Sequence, residues 1–302
     1  MHHAQLPVSR AHVRSTDIER ANTKSLPAVV DAFVDAFWTA GTTFGEVRLS
    51  ERERRQLARQ VADDFRGRYS SSWEDGNRLF GSRLLLAREP DSGVVVGCVG
   101  LESTLLDPLE RSVFTAHQAE GLLRAEFATM ADSERCAPVV VLTPRTVRLY
   151  RPTSLHRWLS GRSARGVTVY YAELFGAEGI AALVGELMPQ YSTVALLTNL
   201  AVAPAARRSG LAQELCQCCE LGCVEWGLPV ILLQVEEENA AARSLYQVGG
   251  YRELFRQSGM IALRLRPSAR MLTSTLLLGE RHGLLVETNT TMVTMAKEVH
   301  RA

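Results

Sequence analysis

Between an apolar run and a segment that reads as a helix, the chain places "TNLAVAPAARRSGLAQEL", Thr198 to Leu215. Leu196, Leu197, Leu200, Ala201 and Val202 read as a buried strand, and the residues after Gly210 as a helix. A helix start leaves backbone N–H groups unpaired and carries a partial positive charge, which together make an anion site. Gly210 lets the backbone come close to a ligand because it has no Cβ, Ser209 and Ala212 keep the rim small, and Arg207 and Arg208 add formal charge. That combination suits the grip of a pyrophosphate. The spacing fits neither GxxxxGKS/T nor GxGxxG, which argues against a nucleotide triphosphatase and a dinucleotide-binding fold. A plain surface turn with solvated arginines is the alternative reading of the turn by itself.

A second motif lies downstream in "NAAARSLYQVGGY": Asn239, Ala242, Leu245, Tyr246, Gly250 and Tyr251. In this order the two motifs resemble the GNAT superfamily of acetyl-CoA-dependent N-acetyltransferases. The family's turn, Q/R-x-x-G-x-G/A, falls on Arg207-Arg208-Ser209-Gly210-Leu211-Ala212, and its N-x-x-A-x-x-L-Y followed by G-F/Y falls on the second motif. Within the superfamily both stretches resemble the plastid and cyanobacterial-type enzymes that acetylate protein N-termini and lysines.

The resemblance implies a fold, a donor and a set of roles. The fold is α/β (α+β), a mixed, mostly antiparallel central sheet splayed between its fourth and fifth strands and flanked by helices. Acetyl-CoA is the donor. Leu200, Ala201 and Val202 on the fourth strand would offer backbone groups to the pantetheine amides, as in strand addition. Arg207 and the N–H groups from Arg208 through Ser209, Gly210 and Leu211 to Ala212 would hold the pyrophosphate. Asn239 would contact the cofactor with its amide, or serve as a helix cap, a place Asn favours in any case. Tyr246 would be the general acid and lie against the cofactor; a phenol of reference pKa about 10 can protonate a thiolate whose acid sits near ~8.5 to 9. A core aromatic is the bland reading of the same residue.

The general base departs from the family pattern. Where many N-terminal acetyltransferases of the superfamily have a Glu on the fifth strand, this chain has Gln234. Where other members have a carboxylate on the fourth strand, Thr198 and Asn199 stand, and neither takes up a proton usefully. Glu102, Glu236, Glu237 and Glu238 are the nearby carboxylates that could act through a water, although a Glu run before a helix is also a favourable charge at its start. With a weak base, an α-amine is the easier acceptor than a lysine. The expected activity is acetyl transfer to a protein or peptide N-terminus or lysine by direct attack, since no cysteine stands in a recognisable nucleophile setting. The alternatives are a small-molecule amine acceptor, or a GNAT-fold interaction subunit of a larger assembly with little or no catalysis.

Elements that would position these residues are legible around them. From Val13, "VRSTDIERANTKSLPAVVDAFVDAFWTAG" runs from a short strand into a helix with Val29, Val30, Phe33 and Phe37 on one side and Gly41 as its stop. Ser50 and Glu53 have the spacing of a reciprocal capping box for a second helix. "SRLLLAREPDSGVVVGCVGLE" reads as a hairpin about Pro90-Asp91-Ser92-Gly93. Strand, turn, helix, strand and helix follow from Thr193, and "YRELFRQ" with "MIALRLRP" reads as a closing β pair. The expected organisation is an arm over 1–12, an acetyltransferase domain over 13–102 and 191–267, an insertion over 103–190, and an extension over 268–302. Inside the insertion, helices over Ser112 to Met130 and in "GAEGIAALVGELM" and a β-like "PVVVLT" are expected.

Bulk properties exclude other classes. With 34 basic and 33 acidic residues the net charge is +1, so no overall field draws the chain to nucleic acid or an anionic surface. The longest apolar stretches fall short of the ~20 residues that cross a bilayer, so a soluble chain without a membrane span is expected. "MHHAQLPVSRAHVRST" has three His, two Arg and no acid, consistent with a disordered arm or the remnant of a transit peptide. Four of the six cysteines crowd into "CQCCELGC", where Cys216, Cys219 and Cys223 share one helix face. With no His or second CxxC pair beside them they read as core packing rather than a metal or redox centre, and no metal is expected. Free thiols favour a reducing compartment, plastid or cytoplasm.

Overall fold

Two apolar runs on either side of the Pro90–Gly93 turn form the hairpin around which the sheet is built. The computed structural model describes residues 17–39, 49–69, 80–134, 139–143, 146–150, 180–265 and 285–300. In chain order the elements are β1 (Asp17–Arg20), α1 (Leu26–Phe33), α2 (Glu51–Tyr69), β2 (Ser82–Arg88), β3 (Val95–Asp107), β4 (Ser112–Val113), α3 (Ala116–Glu134), β5 (Val139–Thr143), β6 (Thr146–Tyr150), α4 (180–187), β7 (Ser192–Val202), α5 (Leu211–Glu225), β8 (Val230–Glu236), α6 (Ala240–Val248), β9 (Arg252–Leu265) and β10 (Leu285–Glu298). The main sheet runs β1-β2-β3-β7-β8-β10-β9, with β4 on β3. Of these pairs only β7 with β8 is parallel, so the chain has the α/β, mostly antiparallel sheet that its motifs imply.

Strand alternation gives the sheet two buried faces. On one, Val29, Val30 and Phe33 of α1 and Leu57, Val61, Phe65 and Tyr69 of α2 cover Leu84, Leu86, Cys98 and Ala201. On the other, Leu211, Leu215, Cys216, Cys219 and Cys223 of α5 and Tyr246 of α6 cover Val99, Leu101, Ala195, Leu197 and Leu233. The three cysteines of the α5 stripe are thus core side chains, and burial pushes the Cys216 and Cys223 thiols up to about 12. Each helix is started by the chemistry its residues offer. Ser50 and Glu53 make the reciprocal cap of α2: Glu53 N–H donates to Ser50 Oγ at 3.3 Å, and Ser50 N–H to Glu53 Oε2 at 2.8 Å. Pro27 stands in the first turn of α1, where a missing N–H costs nothing.

Several expectations are corrected. "YRELFRQ" and "MIALRLRP" are one strand, β9; Gly259, at φ +73°, makes a bulge there rather than a turn, and the pairing partner is β10. The stretch from Ser268, read as an extension, contains that strand at Leu285–Glu298, inserted between β8 and β9 with Val293, Thr294 and Met295 buried. β3 runs on to Asp107, so the boundary drawn after Glu102 falls inside a strand. The helix expected from Ser112 begins at Ala116, capped by Thr115 and Gln118, because Ser112 and Val113 pair with β3. Phe37 is 45% exposed, since the chain widens into a π turn at Val34–Thr39, but its ring still stacks on Phe33 at 5.0 Å. Gly41, Cys136, residues 1–16 and "SLHRWLSGRSARG" lie outside the described residues.

Candidate active site

β7 and β8 stay in register only from Ala195–Leu197 against Ile231–Leu233. Beyond Leu197 the β8-facing edge of β7 has no strand partner among the described residues, and the sheet opens as a slot. On its other edge β7 pairs with β3 through a bulge, because Cys98 faces Ala201 while Gly100 faces Thr198. Asn199 takes up the extra residue at φ +53°, a conformation Asn tolerates. The bulge shifts the alternation: Ala195 and Leu197 before it, and Leu200 and Val202 after it, face α5, whereas Ala201 faces α1 and α2. Thr198 and Asn199 both direct their side chains to the α2 side, where both meet Tyr69.

The turn that follows β7 leads into α5. Arg208 at φ +65° and Gly210 at φ +95° curl the backbone, and Gly210 is the N-cap of the helix. Among the described residues nothing accepts from the N–H groups of Arg208, Ser209, Gly210 or Ala212, while Leu211 N–H reaches Ser209 Oγ at 3.4 Å. Successive N–H groups freed by such a curl form an anion-binding concavity. Arg207 differs from the charge at the mouth that its sequence position suggests. Its guanidinium donates to Val202 O at 3.2 Å and to Ala36 O at 3.0 Å, in the π turn after α1. Ser209 Oγ donates to Ala206 O at 2.8 Å and closes the turn.

Asn239 is the N-cap of α6, accepting from Ala242 N–H at 3.1 Å, and its exposed side-chain N–H2 has no acceptor among the described residues. Seven residues on, Tyr246 is 8% exposed and packs edge-on against Tyr251 at 5.8 Å. Burial, reinforced by the neighbouring Cys216 and Cys219 sulfurs, holds its phenol well above the ordinary range, so it stays protonated. A small cavity beside it is lined by Gln213, Cys216, Gln217, Glu220, Leu245 and Tyr251.

The far side of β7 holds a polar group that motif reading passed over. Tyr69, the last residue of α2 and fully buried, donates to or accepts from Thr198 Oγ1 at 2.9 Å and accepts from Asn199 Nδ2 at 2.8 Å. Thr198 Oγ1 in turn donates to Glu102 Oε1 at 3.4 Å, and Arg68 approaches the same oxygen at 3.5 Å. Glu102 is 1% exposed. Gly100 makes the room, since a Cβ there would collide with the Tyr69 phenol. The signal in the sequence was this glycine two residues before a buried acid in an otherwise apolar strand. Of the other acids, Glu236 pairs with Arg264 and Glu237 with Arg256 at 2.5 Å, and Glu238 is exposed. Gln234 reaches only Thr294, at 3.5 Å. No helix among the described residues is long and apolar enough to cross a membrane.

Comparison with known proteins gives a consistent picture. Residues 133–251 match the family model described as "Acetyltransferase (GNAT) family". An Arabidopsis thaliana protein named GCN5-related N-acetyltransferase 10, chloroplastic, is 38% identical over 55 residues, which are 18% of this chain and 22% of that protein. Among solved structures, the ribosomal-protein-S18-alanine N-acetyltransferase from Escherichia coli is 14% identical, with 95% of this chain and 96% of that chain covered at a TM-score of 0.40. A mosquito arylalkylamine N-acetyltransferase like 5b is 15% identical, with 94% and 100% covered and a TM-score of 0.40.

Proposed function

We infer that the chain carries an acetyltransferase domain of the GNAT family, whose model matches residues 133–251, and that it transfers acetyl from acetyl-CoA to the α-amine of a protein or peptide, with lysine a poorer acceptor. The reading rests on one juxtaposition. The slot between β7 and β8 ends at a turn whose N–H groups at Arg208, Ser209, Gly210 and Ala212 have no acceptor among the described residues. Those groups and the start of α5 would hold a pyrophosphate, the open edge of β7 at Leu200–Val202 would pair with the pantetheine amides, and the exposed amide of Asn239 would reach the same ligand. Acetyl-CoA would supply the acetyl thioester. Tyr246, kept protonated by burial, is the proton donor for the leaving sulfur in this reading.

Preference for an α-amine follows from proton affinity. At pH about 7.5 an α-amine of pKa about 7.7 to 8.0 needs less than ~1 kcal/mol to lose its proton, whereas a lysine at about 10.4 needs roughly 4 kcal/mol. A base that is not in direct contact with the amine favours the first. The plastid-type resemblance and the short chloroplastic relative make a plastid the compartment of choice, and the proposal takes it as such.

Two measurements test the reading. Acetyl-CoA at 100 times its Kd stabilises a binding protein by about 2.7 kcal/mol, so a thermal shift of the full chain is expected, and no shift would leave the domain as an interaction module. Matched peptides with a free or blocked N-terminus should give a higher kcat/KM for the free terminus; faster lysine modification overturns the preference.

A further inference from the structure

We infer that Glu102 is the proton acceptor of the transfer, reached through the Thr198 hydroxyl, with Tyr69 as the residue that positions the relay. This rests on the acetyltransferase reading above and adds the base that the family positions lack. Gln234, Thr198 and Asn199 cannot hold the proton, but Thr198 stands at the rim of the slot, half-buried, with its hydroxyl turned to a carboxylate one strand away.

The hydrogen bonds form a chain. Asn199 Nδ2 donates to Tyr69 Oη at 2.8 Å, and Tyr69 Oη shares a hydrogen bond with Thr198 Oγ1 at 2.9 Å. Thr198 Oγ1 donates to Glu102 Oε1 at 3.4 Å. The chain therefore ends on a carboxylate and begins at the slot. Charges facing Glu102 come from α2: Arg68 at 3.5 Å, itself paired with Asp64 at 3.1 Å, and the neutral Tyr69 phenol.

The two ends of the chemistry also lie on opposite faces of the sheet. Tyr246 belongs to the α5 side, while Thr198, Tyr69 and Glu102 belong to the α2 side, and β7 stands between them. An amine entering from the α2 side attacks the thioester carbon, so a C–N bond forms and the C–S bond breaks. The amine proton goes to Thr198 Oγ1 as the Thr198 proton goes to Glu102; the sulfur takes the Tyr246 proton. Afterwards Glu102 returns its proton to solvent and the Tyr246 phenolate regains one, so the cycle closes with no other reactant.

The test uses the full chain, a free-N-terminus peptide and acetyl-CoA. Glu102→Gln and Thr198→Val should each lower kcat about 100-fold or more, the range of a lost proton acceptor. Thr198→Ser should restore most of the rate, and the double variant should be no slower than either single one. All should keep the acetyl-CoA thermal shift of the parent, which separates chemistry from folding. The rising limb of kcat with pH should flatten in Glu102→Gln and in Thr198→Val alike, since both sever the route. A parent that turns over while Glu102→Gln stays within about threefold overturns the route and leaves the function standing. A parent with neither turnover nor a thermal shift overturns the function and the route with it.

Discussion

Tyr69 occupies the space that a side chain on Gly100 would need: a Cβ there would lie 1.9 Å from the phenol oxygen and 2.6 Å from Thr198 Oγ1. The neighbours are a fully buried ring and a strand, neither free to yield. Gly100→Ala is expected to cost about 1–3 kcal/mol, the usual penalty of overpacking, and to dislodge the phenol from Thr198 and Asn199. Tyr69→Phe keeps the ring and removes only the hydroxyl, at about 1–2 kcal/mol for the partners left unpaired. Urea denaturation reads both, and a Gly100→Ala protein as stable as the parent would show that the strand can give way.

Arg207 and Arg208 are neighbours with opposite duties. Arg207 spans Val202 O and Ala36 O, so Arg207→Ala should lower stability by about 1–2 kcal/mol; Arg207→Lys should recover little, because a lysine lacks the fork. Arg208 is exposed at φ +65°, where a Cβ is strained, so Arg208→Gly should raise stability by up to about 1 kcal/mol. Denaturation of the pair checks the signs, and an Arg207→Ala protein of unchanged stability would return Arg207 to the ligand side.

The Gly210 turn, the α6 cap and the α2 cap were legible because each is local: a residue type at fixed spacing acts on backbone a turn away. The hairpin and the α5 cysteine face were legible for the same reason, as periodicity over one element. What escaped was non-local. β10 is "LVETNTTMVTMAKE", a Thr- and Met-rich stretch with weak alternation, and it becomes a central strand only because β8 and β9 stand apart to receive it. Gly259 looks like a turn until its strand partner is known. The Tyr69–Thr198–Glu102 group joins α2, β7 and β3 across 129 and 96 residues of sequence, and no spacing rule sees such a contact. The tie of Arg207 to Ala36 O, in the π turn after α1, likewise spans 171 residues of sequence.

Buried thiols set the alkaline limit of stability. Burial pushes Cys98, on the α1–α2 face, and Cys216, on the α5 face, each up to about 12 from an unfolded value near 9. Both raised pKa values favour the neutral form in the folded chain. Below pH about 9 both states keep the proton and their stabilisation is fully present; between about 9 and 12 the unfolded chain ionises first, so stability falls as pH rises. Each thiol should remove about 1.4 kcal/mol per pH unit across that window. Denaturation under reducing conditions at pH 8, 9.5 and 10.5 measures the slope, and Cys98→Ala should make it shallower. An equal slope in Cys98→Ala and parent would mean that Cys98 is not the group responsible.

Tyr246 should behave as a proton donor that never needs to be tuned. It is buried against Tyr251 and the α5 cysteines, and burial keeps its phenol protonated well beyond neutral pH. Two consequences can be separated. Tyr246→Phe retains the ring that packs in the core, so folding and the acetyl-CoA thermal shift should be close to those of the parent. Its kcat should fall about 100-fold, because the leaving sulfur loses its donor while the bound donor substrate loses little. In the parent, no falling limb of kcat should appear between pH 7 and about 9.5, since the phenol does not ionise there. A falling limb in that range that vanishes in Tyr246→Phe would show the phenol titrating within working pH. Unchanged turnover in Tyr246→Phe would remove it from the chemistry and leave it as a core aromatic beside the slot.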